Sequence, residues 1–238
     1  MKHIILLLTV LLFISCKEQK KEAVLPFDDR VALDVKTYPE NISKIFEAHG
    51  GLDYWNALRS LEFTMTKPSG AERTLTDLRN RKSHISTDKF QISYNGKDVW
   101  IKQDSLHYKG KPQFYYNLMF YFYSMPFILA DDGIIYSDAV PLVFEGKTYP
   151  GIKIGYNAGV GQSSDDEYIL YYDSETYKMA WLGYTVTFFT KEKSKEFHFI
   201  KYSNWQEVDG LVLPEMLTWY GYENNQPTKK ERLKVYKY

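Results

Sequence analysis

Cysteine is all but absent from this chain of 238 residues, where Cys16 stands alone. A single thiol excludes an internal disulfide framework and any Cys-x-x-Cys zinc or redox pair. An excess of either charge is also missing, since 30 Lys and Arg balance 30 Asp and Glu. Nucleic-acid binding needs a basic surplus to neutralise phosphates, so that partner class is excluded. The sequence holds no Gly-x-Ser-x-Gly elbow, no phosphate loop and no dinucleotide fingerprint. We therefore assign no catalytic residue, no cofactor and no metal. Aromatic residues, in contrast, are abundant: 21 Tyr, 14 Phe and 5 Trp. Tyr at that frequency suits strands and surfaces that are half apolar and half wet. The length fits one good core.

The N-terminus reads as a processing signal. Met1-Lys2-His3 is short and positive, and Ile4 to Ile14 is apolar except for Thr9. Such a run is too short to span a bilayer but fits the apolar core of a signal peptide. Its end, Phe13-Ile14-Ser15-Cys16, resembles the bacterial lipoprotein signal, with Phe13 where Leu is usual. That resemblance implies cleavage before Cys16 and acylation of the cysteine, which would tie the protein to a membrane stably. The expected location is the cell envelope, as an outer-membrane lipoprotein. Lys17 to Glu22 is a charged, solvated tether that does not choose between the periplasmic and the surface leaflet. The expected organisation is a signal peptide over 1–15, a lipidated tether and irregular segment over 16–36, and a single β domain over 37–238.

Ile42, Ile45, Phe46 and His49 recur at helical spacing after Pro39, and Gly50-Gly51 supplies a left-handed stop. A short helix over 52–58 follows. Leu61, Phe63 and Met65 then alternate with polar neighbours, as in a strand with one wet face. Further strands are expected near 72–80, 82–87, 89–94, 98–103, 105–109, 141–145, 147–156, 167–173, 178–190, 195–208, 211–221 and 229–237. Tight-turn signals, Asn95-Gly96 the strongest, link them into an antiparallel meander. A sheet of about eleven strands has to curl, so the expected fold is mainly β, α+β in detail: an unclosed antiparallel half-barrel. One segment interrupts it. Pro112 to Ala130 is apolar or aromatic on every side and short for a membrane span. A helix of that kind must be buried, so we expect one between Phe114 and Ser124, plugging the concave face and ending before Pro126.

A lipobox, a helix pair, a meander and an aromatic plug together resemble the LolA/LolB/LppX architecture of envelope proteins, whose helices cover a cavity for acyl chains. Three strings resemble a lipoprotein family of Bacteroidota catalogued as a domain of unknown function, DUF6503. They are Ala48-His49-Gly50-Gly51-Leu52-x-x-Trp55, Met125-Pro126-Phe127-x-Leu129-Ala130-Asp131-x-Gly133 and Trp205-x-x-x-Asp209-Gly210-Leu211-x-Leu213-Pro214. We read His49, Gly50, Gly51, Trp55, Pro126, Asp131, Gly133, Gly210 and Pro214 as structural members of these strings. The resemblance brings no activity. By fold analogy it implies a carrier for an acyl chain or lipoprotein.

Other candidates have bland counterparts. His49 reads as a helix cap, or packs beside Trp55, rather than as a base. His84, His107 and His198 share no motif. Asp165, Asp166 and Glu167, after Gly159 and Gly161, offer oxygen ligands for calcium but lack the spacing of an EF-hand loop, so a solvated turn is the plainer reading. Asp131, Asp132, Glu145 and Asp166 could serve a glycosidase, yet nothing in the sequence pairs them. Phe114, Tyr115, Phe120, Phe122, Met125 and Phe127 either fill the barrel as a dry core or line a cavity for an apolar ligand. The expectation is a lipid-anchored, non-enzymatic envelope protein that binds a hydrophobic ligand. The alternatives are a hydrolase acting on envelope glycan or lipid, and a structural accessory that docks an outer-membrane partner, its identity unknown.

Overall fold

Alternation of apolar and polar residues becomes a sheet. In β1 (Ser60–Lys67) the side chains of Leu61, Phe63 and Met65 are buried, while Ser60, Glu62 and Thr66 are exposed. The computed structural model describes residues 36–157, 165–190 and 192–237. The signal segment, Cys16 and the charged tether lie outside these residues, as do Gly159, Gly161 and Gln162 to Ser164 of the acidic loop. After β1 come β2 (Gly70–Asp77), β3 (Ser83–Ser86), β4 (Phe90–Tyr94), β5 (Val99–Gln103) and β6 (Ile134–Phe144). The chain continues through β7 (Lys147–Tyr156), β8 (Tyr168–Tyr172), β9 (Met179–Tyr184), β10 (His198–Val208), β11 (Leu211–Glu223) and β12 (Gln226–Lys237). Tyr38–Tyr238 makes one unit.

The twelve strands of the described residues join one antiparallel sheet in the order β5-β4-β3-β2-β1-β12-β11-β10-β9-β8-β7-β6. The first and last strands in sequence meet inside it, through Met65 opposite Lys237 and Thr66 opposite Tyr236. Its edges, β5 and β6, do not pair, so the curled sheet is an unclosed half-barrel. The strand count corrects the expected eleven. β6 begins at Ile134 rather than Pro141, and Pro141, which has no N–H to donate, is tolerated because β6 is an edge. The strand expected over 105–109 is instead a turn, in which His107 Nε2 lies 2.6 Å from Ser105 Oγ and 3.0 Å from Asp104 Oδ1. The turn at Asn95 forms as expected, its Oδ1 accepting the N–H groups of Lys97 and Asp98 at 2.9 and 2.8 Å.

Among the described residues, five short helices cover the sheet. α1 (Glu40–Ala48) buries Ile42, Ile45 and Phe46, and α2 (Leu52–Ala57) buries Trp55. The aromatic segment is buried as its composition requires, but not as one helix. It is broken into α3 (Pro112–Tyr115), α4 (Leu118–Tyr123) and α5 (Met125–Ile128). Asn117 and Ser124 mark the breaks, and Pro126 sits in the first turn of α5 instead of ending the plug, a place where its missing N–H costs nothing. The main core joins these helices to residues of both sheet halves, from Phe63 and Met65 to Leu182, Ile200 and Leu217. A second cluster, Leu142, Phe144, Tyr171, Trp181, Phe199 and Tyr220, packs on its own. There Phe144 of β6 lies 4.7 Å from the Trp181 ring and 5.5 Å from Tyr220, so the far end of β6 reaches strands distant from it in the sheet.

Candidate functional site

A broken helix leaves carbonyl groups without helical partners, and burial makes each one costly unless it is met. Tyrosines meet them here. Tyr202 donates to Phe122 O at 2.8 Å, Tyr38 to Ala130 O at 3.4 Å, and Tyr136 to Leu129 O. Ser83 Oγ donates to Tyr116 O at 3.1 Å. The plug is therefore pinned from β3, β6, β10 and the segment before α1. At its start, Tyr115 donates to Glu72 Oε1 at 2.6 Å, and Lys67 holds the same carboxylate at 2.7 Å and bonds the Tyr115 hydroxyl.

Two cavities flank the pinned plug. The first, about 470 Å³, lies between α3 and α4 and the strands β8, β9 and β11. Leu118, Met119, Phe122, Tyr184 and Trp219 line it, and Lys67 to Ser69 of the β1–β2 turn close one side. The second, about 340 Å³, lies across the plug toward β6 and β7, bounded by Tyr121, Met125, Ile128, Tyr156 and Phe188. Phe114, Leu118, Phe122, Asp166 and Tyr168 line both, so they form the wall between two lobes of one region. Both volumes fall in the range of about 300–1,000 Å³ typical of small-molecule sites.

The lobes differ in polarity. The second contains Arg81, Gln113, Asn117, Asp131 and Asp132, whereas Lys67 is the one cation among the described residues lining the first. Both lining cations are held by carboxylates, Arg81 by Asp131 at 2.6 Å and Lys67 by buried Glu72. Asp166 is buried, and its Oδ1 accepts the Thr187 N–H at 2.6 Å. Burial raises the phenol pKa of Tyr156 and Tyr168, so both rings stay neutral and can donate or accept. Such a region can solvate an apolar chain and hold a polar end.

Of the residues expected to line a cavity, Phe114, Tyr115, Phe122 and Met125 do so. Phe120 and Phe127 are fully buried in the core and line neither lobe. Phe120 lies under the Arg81 guanidinium at 5.3 Å, and Phe127 stacks on Trp55 at 4.5 Å. Sequence reading missed Leu118, Tyr168, Trp219 and Arg81. Leu118 and the two strand aromatics carried only the ordinary signal of inward alternation, and Arg81 sits in a polar turn with no signal at all.

The three strings meet at one structural node. His49 Nδ1 lies 2.8 Å from Val212 O, and its Nε2 lies 3.0 Å from Met179 N. Its ring packs 4.6 Å from Trp205, not beside Trp55, and 6.5 Å from Phe127. Gly50 and Gly51 end α1 with φ of 107° and 88°. A Cβ on Gly50 would stand 2.3 Å from Gly210 O, so the close approach of the two strings requires glycine there. Pro214 pairs with Trp205 across β10 and β11, and Gly133, at φ 78°, turns the chain into β6. Of the residues named in the strings, Met125 and Asp131 reach the cavities, both at the second lobe.

The remaining candidates separate. His84 lies 2.8 Å from Ser93, and His198 packs 4.7 Å from the Tyr222 ring. Glu167 pairs with Lys153 at 3.0 Å while Asp166 turns to Thr187, so neighbouring acids point to different partners. Asp131, Asp132 and Asp166 do share the second lobe, a grouping that no local pattern announces, but Glu145 is not among its residues. Among the described residues no group of three His, Cys, Asp or Glu could hold a metal ion.

No curated protein matches the chain. It is similar to a DUF1329 family protein from Desulfovibrio piger at 11% identity over 82% of this chain and 88% of that one, with a TM-score of 0.43. It is also similar to a LolA superfamily protein from Nitrosomonas europaea at 7% identity over 81% of this chain and 88% of that one, with a TM-score of 0.37. Residues 73–230, more than half of the sequence, match the family of unknown function DUF6503, and the chain belongs to that family.

Proposed function

We propose that this DUF6503 protein is an envelope lipoprotein, anchored through Cys16, that binds an acyl chain or similar hydrophobic ligand between its plug and its sheet. The supporting observation is the two-lobed region walled by Phe114, Leu118, Phe122 and Tyr168. Space of that size beside a core otherwise filled with large rings is what a ligand site needs and a purely structural core does not. Binding, rather than bond cleavage, is the role we assign. Asp131 and Asp166, the acids best placed for catalysis, are engaged by Arg81 and by the Thr187 N–H.

The test is native mass spectrometry of the Cys16→Ser form purified from its own host's periplasm, followed by lipid extraction. The expected result is a co-purifying acyl species at one per chain. A bare mass, together with failure to take up a fluorescent fatty acid, would remove the carrier role. A docking role is the second reading, and it has its own observation: Ile135, Val140 and Val143 are exposed on the edge strand β6. It predicts a protein cross-linked through that strand and no lipid.

A further inference from the structure

Two residues that line the second lobe each carry a buried polar atom that the fold leaves unused. Asn117 stands at the N-cap of α4, a position where an asparagine side chain ordinarily accepts an N–H of the first turn. It makes no such bond; Asn117 is 3% exposed and its Oδ1 has no hydrogen-bond partner. Arg81 is the other. The Asp77 carboxylate gathers the N–H groups of Arg79 and Asn80 at 2.9 and 3.1 Å, and the turn holds Arg81 in the left-handed region at φ 59°. A side chain other than glycine adopts that conformation at a cost, which marks the position as one the fold constrains. From there Arg81 gives Nη2 to Asp131, while its Nη1 is buried with no partner. An unmet donor and an unmet acceptor, both buried and carried by residues that line one lobe, are each costly when alone.

Charge narrows what could satisfy them. Among the described residues, three carboxylates, Asp131, Asp132 and Asp166, and one cation line this lobe, and that cation, Arg81, is already in an ion pair. An anionic head would meet like charge and no unengaged cation among the described lining residues. The opposite lobe is lined by Leu118, Met119, Phe122 and Trp219 and suits a hydrocarbon tail.

We propose that the ligand is an uncharged amphiphile, an acyl chain whose head carries a carbonyl beside an N–H or O–H. The carbonyl accepts from Arg81, the N–H or O–H donates to Asn117, and the tail lies past the Phe122 wall. Acyl amides and monoacylglycerols have this chemistry; free fatty acids, ionised at neutral pH, do not. This inference rests on the apolar-ligand reading above and adds the class of head.

Titration calorimetry of the purified full chain with hexadecanamide, monopalmitoylglycerol and palmitate at neutral pH tests it, since the three share one tail. The expected order places palmitate at least about tenfold weaker than one of the neutral probes. Asn117→Leu should weaken that neutral probe by about tenfold and leave palmitate unchanged. Asn117→Ser, which shortens the side chain and withdraws the amide oxygen while staying polar, serves with the same expectation if the leucine variant does not fold. Palmitate binding as tightly as both neutral probes, or a variant that weakens all three alike, would overturn the head assignment and leave the apolar-ligand reading standing. No binding by any of the three would bring down both.

Discussion

At His49 both ring nitrogens are spent on the backbone. One neutral tautomer accounts for both contacts: Nδ1–H donates to Val212 O, and Nε2 accepts the Met179 N–H. Protonation would turn that acceptor into a second donor facing an N–H. Burial lowers the His49 pKa from 6.5 to about 4, with Lys178 adding to the fall and the Val212 bond opposing it. The unfolded chain takes up its proton near 6.5 and the folded chain only near 4, so the stability from this site is complete above pH 6.5. It is lost as pH falls through that interval, by roughly 3 kcal/mol. Urea titrations across the interval should show the decline in the wild type and a flatter profile in His49→Gln. An equally steep variant would place the acid sensitivity elsewhere. The sequence offered a helix end and a histidine. It did not reveal the two strands, 130 and 163 residues distant, that the ring would tie together.

At the scale of elements, the plug explains part of the tyrosine content. A continuous helix of this length would satisfy its own interior carbonyls, but three fragments cannot, and the bonds that meet the Tyr116 and Phe122 carbonyls are buried from water. Hydroxyls on rings that already pack in the core supply the missing donors without adding charge. Tyr202→Phe removes the donor to Phe122 O and nothing else of the ring, so it should destabilise the protein by about 1–3 kcal/mol in chemical denaturation. A change under a few tenths would mean that α4 relaxes freely and is not pinned. Burial of this segment was legible because a helix apolar on all sides has no face for water. Its breaks were not, since Asn117 and Ser124 are single polar residues whose local preference does not state whether the surrounding cavity bends the chain.

At the scale of the whole molecule, β1 and β12 pair directly at two positions among the described residues, yet the halves of the sheet do not depend on that seam alone. The main core runs from Leu61 and Phe63 through the plug to Leu182, Ile200 and Leu217. Shared burial of this kind couples the two sides more strongly than a short ladder does. Thermal unfolding followed by far-ultraviolet circular dichroism and by tryptophan fluorescence should therefore give coincident single transitions. Two separated transitions would show that the plug does not bridge the halves. The unpaired edges are managed locally. β6 carries Pro141 and Asp138 and has a register break between Ala139 and Leu142, features that discourage pairing with other chains.

Sequence alone determined the period-two strands, the turn at Asn95-Gly96, the ends of α1 and the burial of the aromatic segment. These follow from interactions between residues a few positions apart and from the cost of exposing apolar surface. It also singled out His49, Gly50, Trp55 and Gly210, though only the folded chain showed that they meet at one node away from the cavities. The strand order, with β1 beside β12, was decided by tertiary structure. So was the pairing of Arg81 with Asp131 and the choice of Phe122 for a cavity wall and Phe120 for the core. Adjacent aromatic residues on a short helix are equivalent to any local rule. Which one faces a void depends on how strands far away in the chain curve around them.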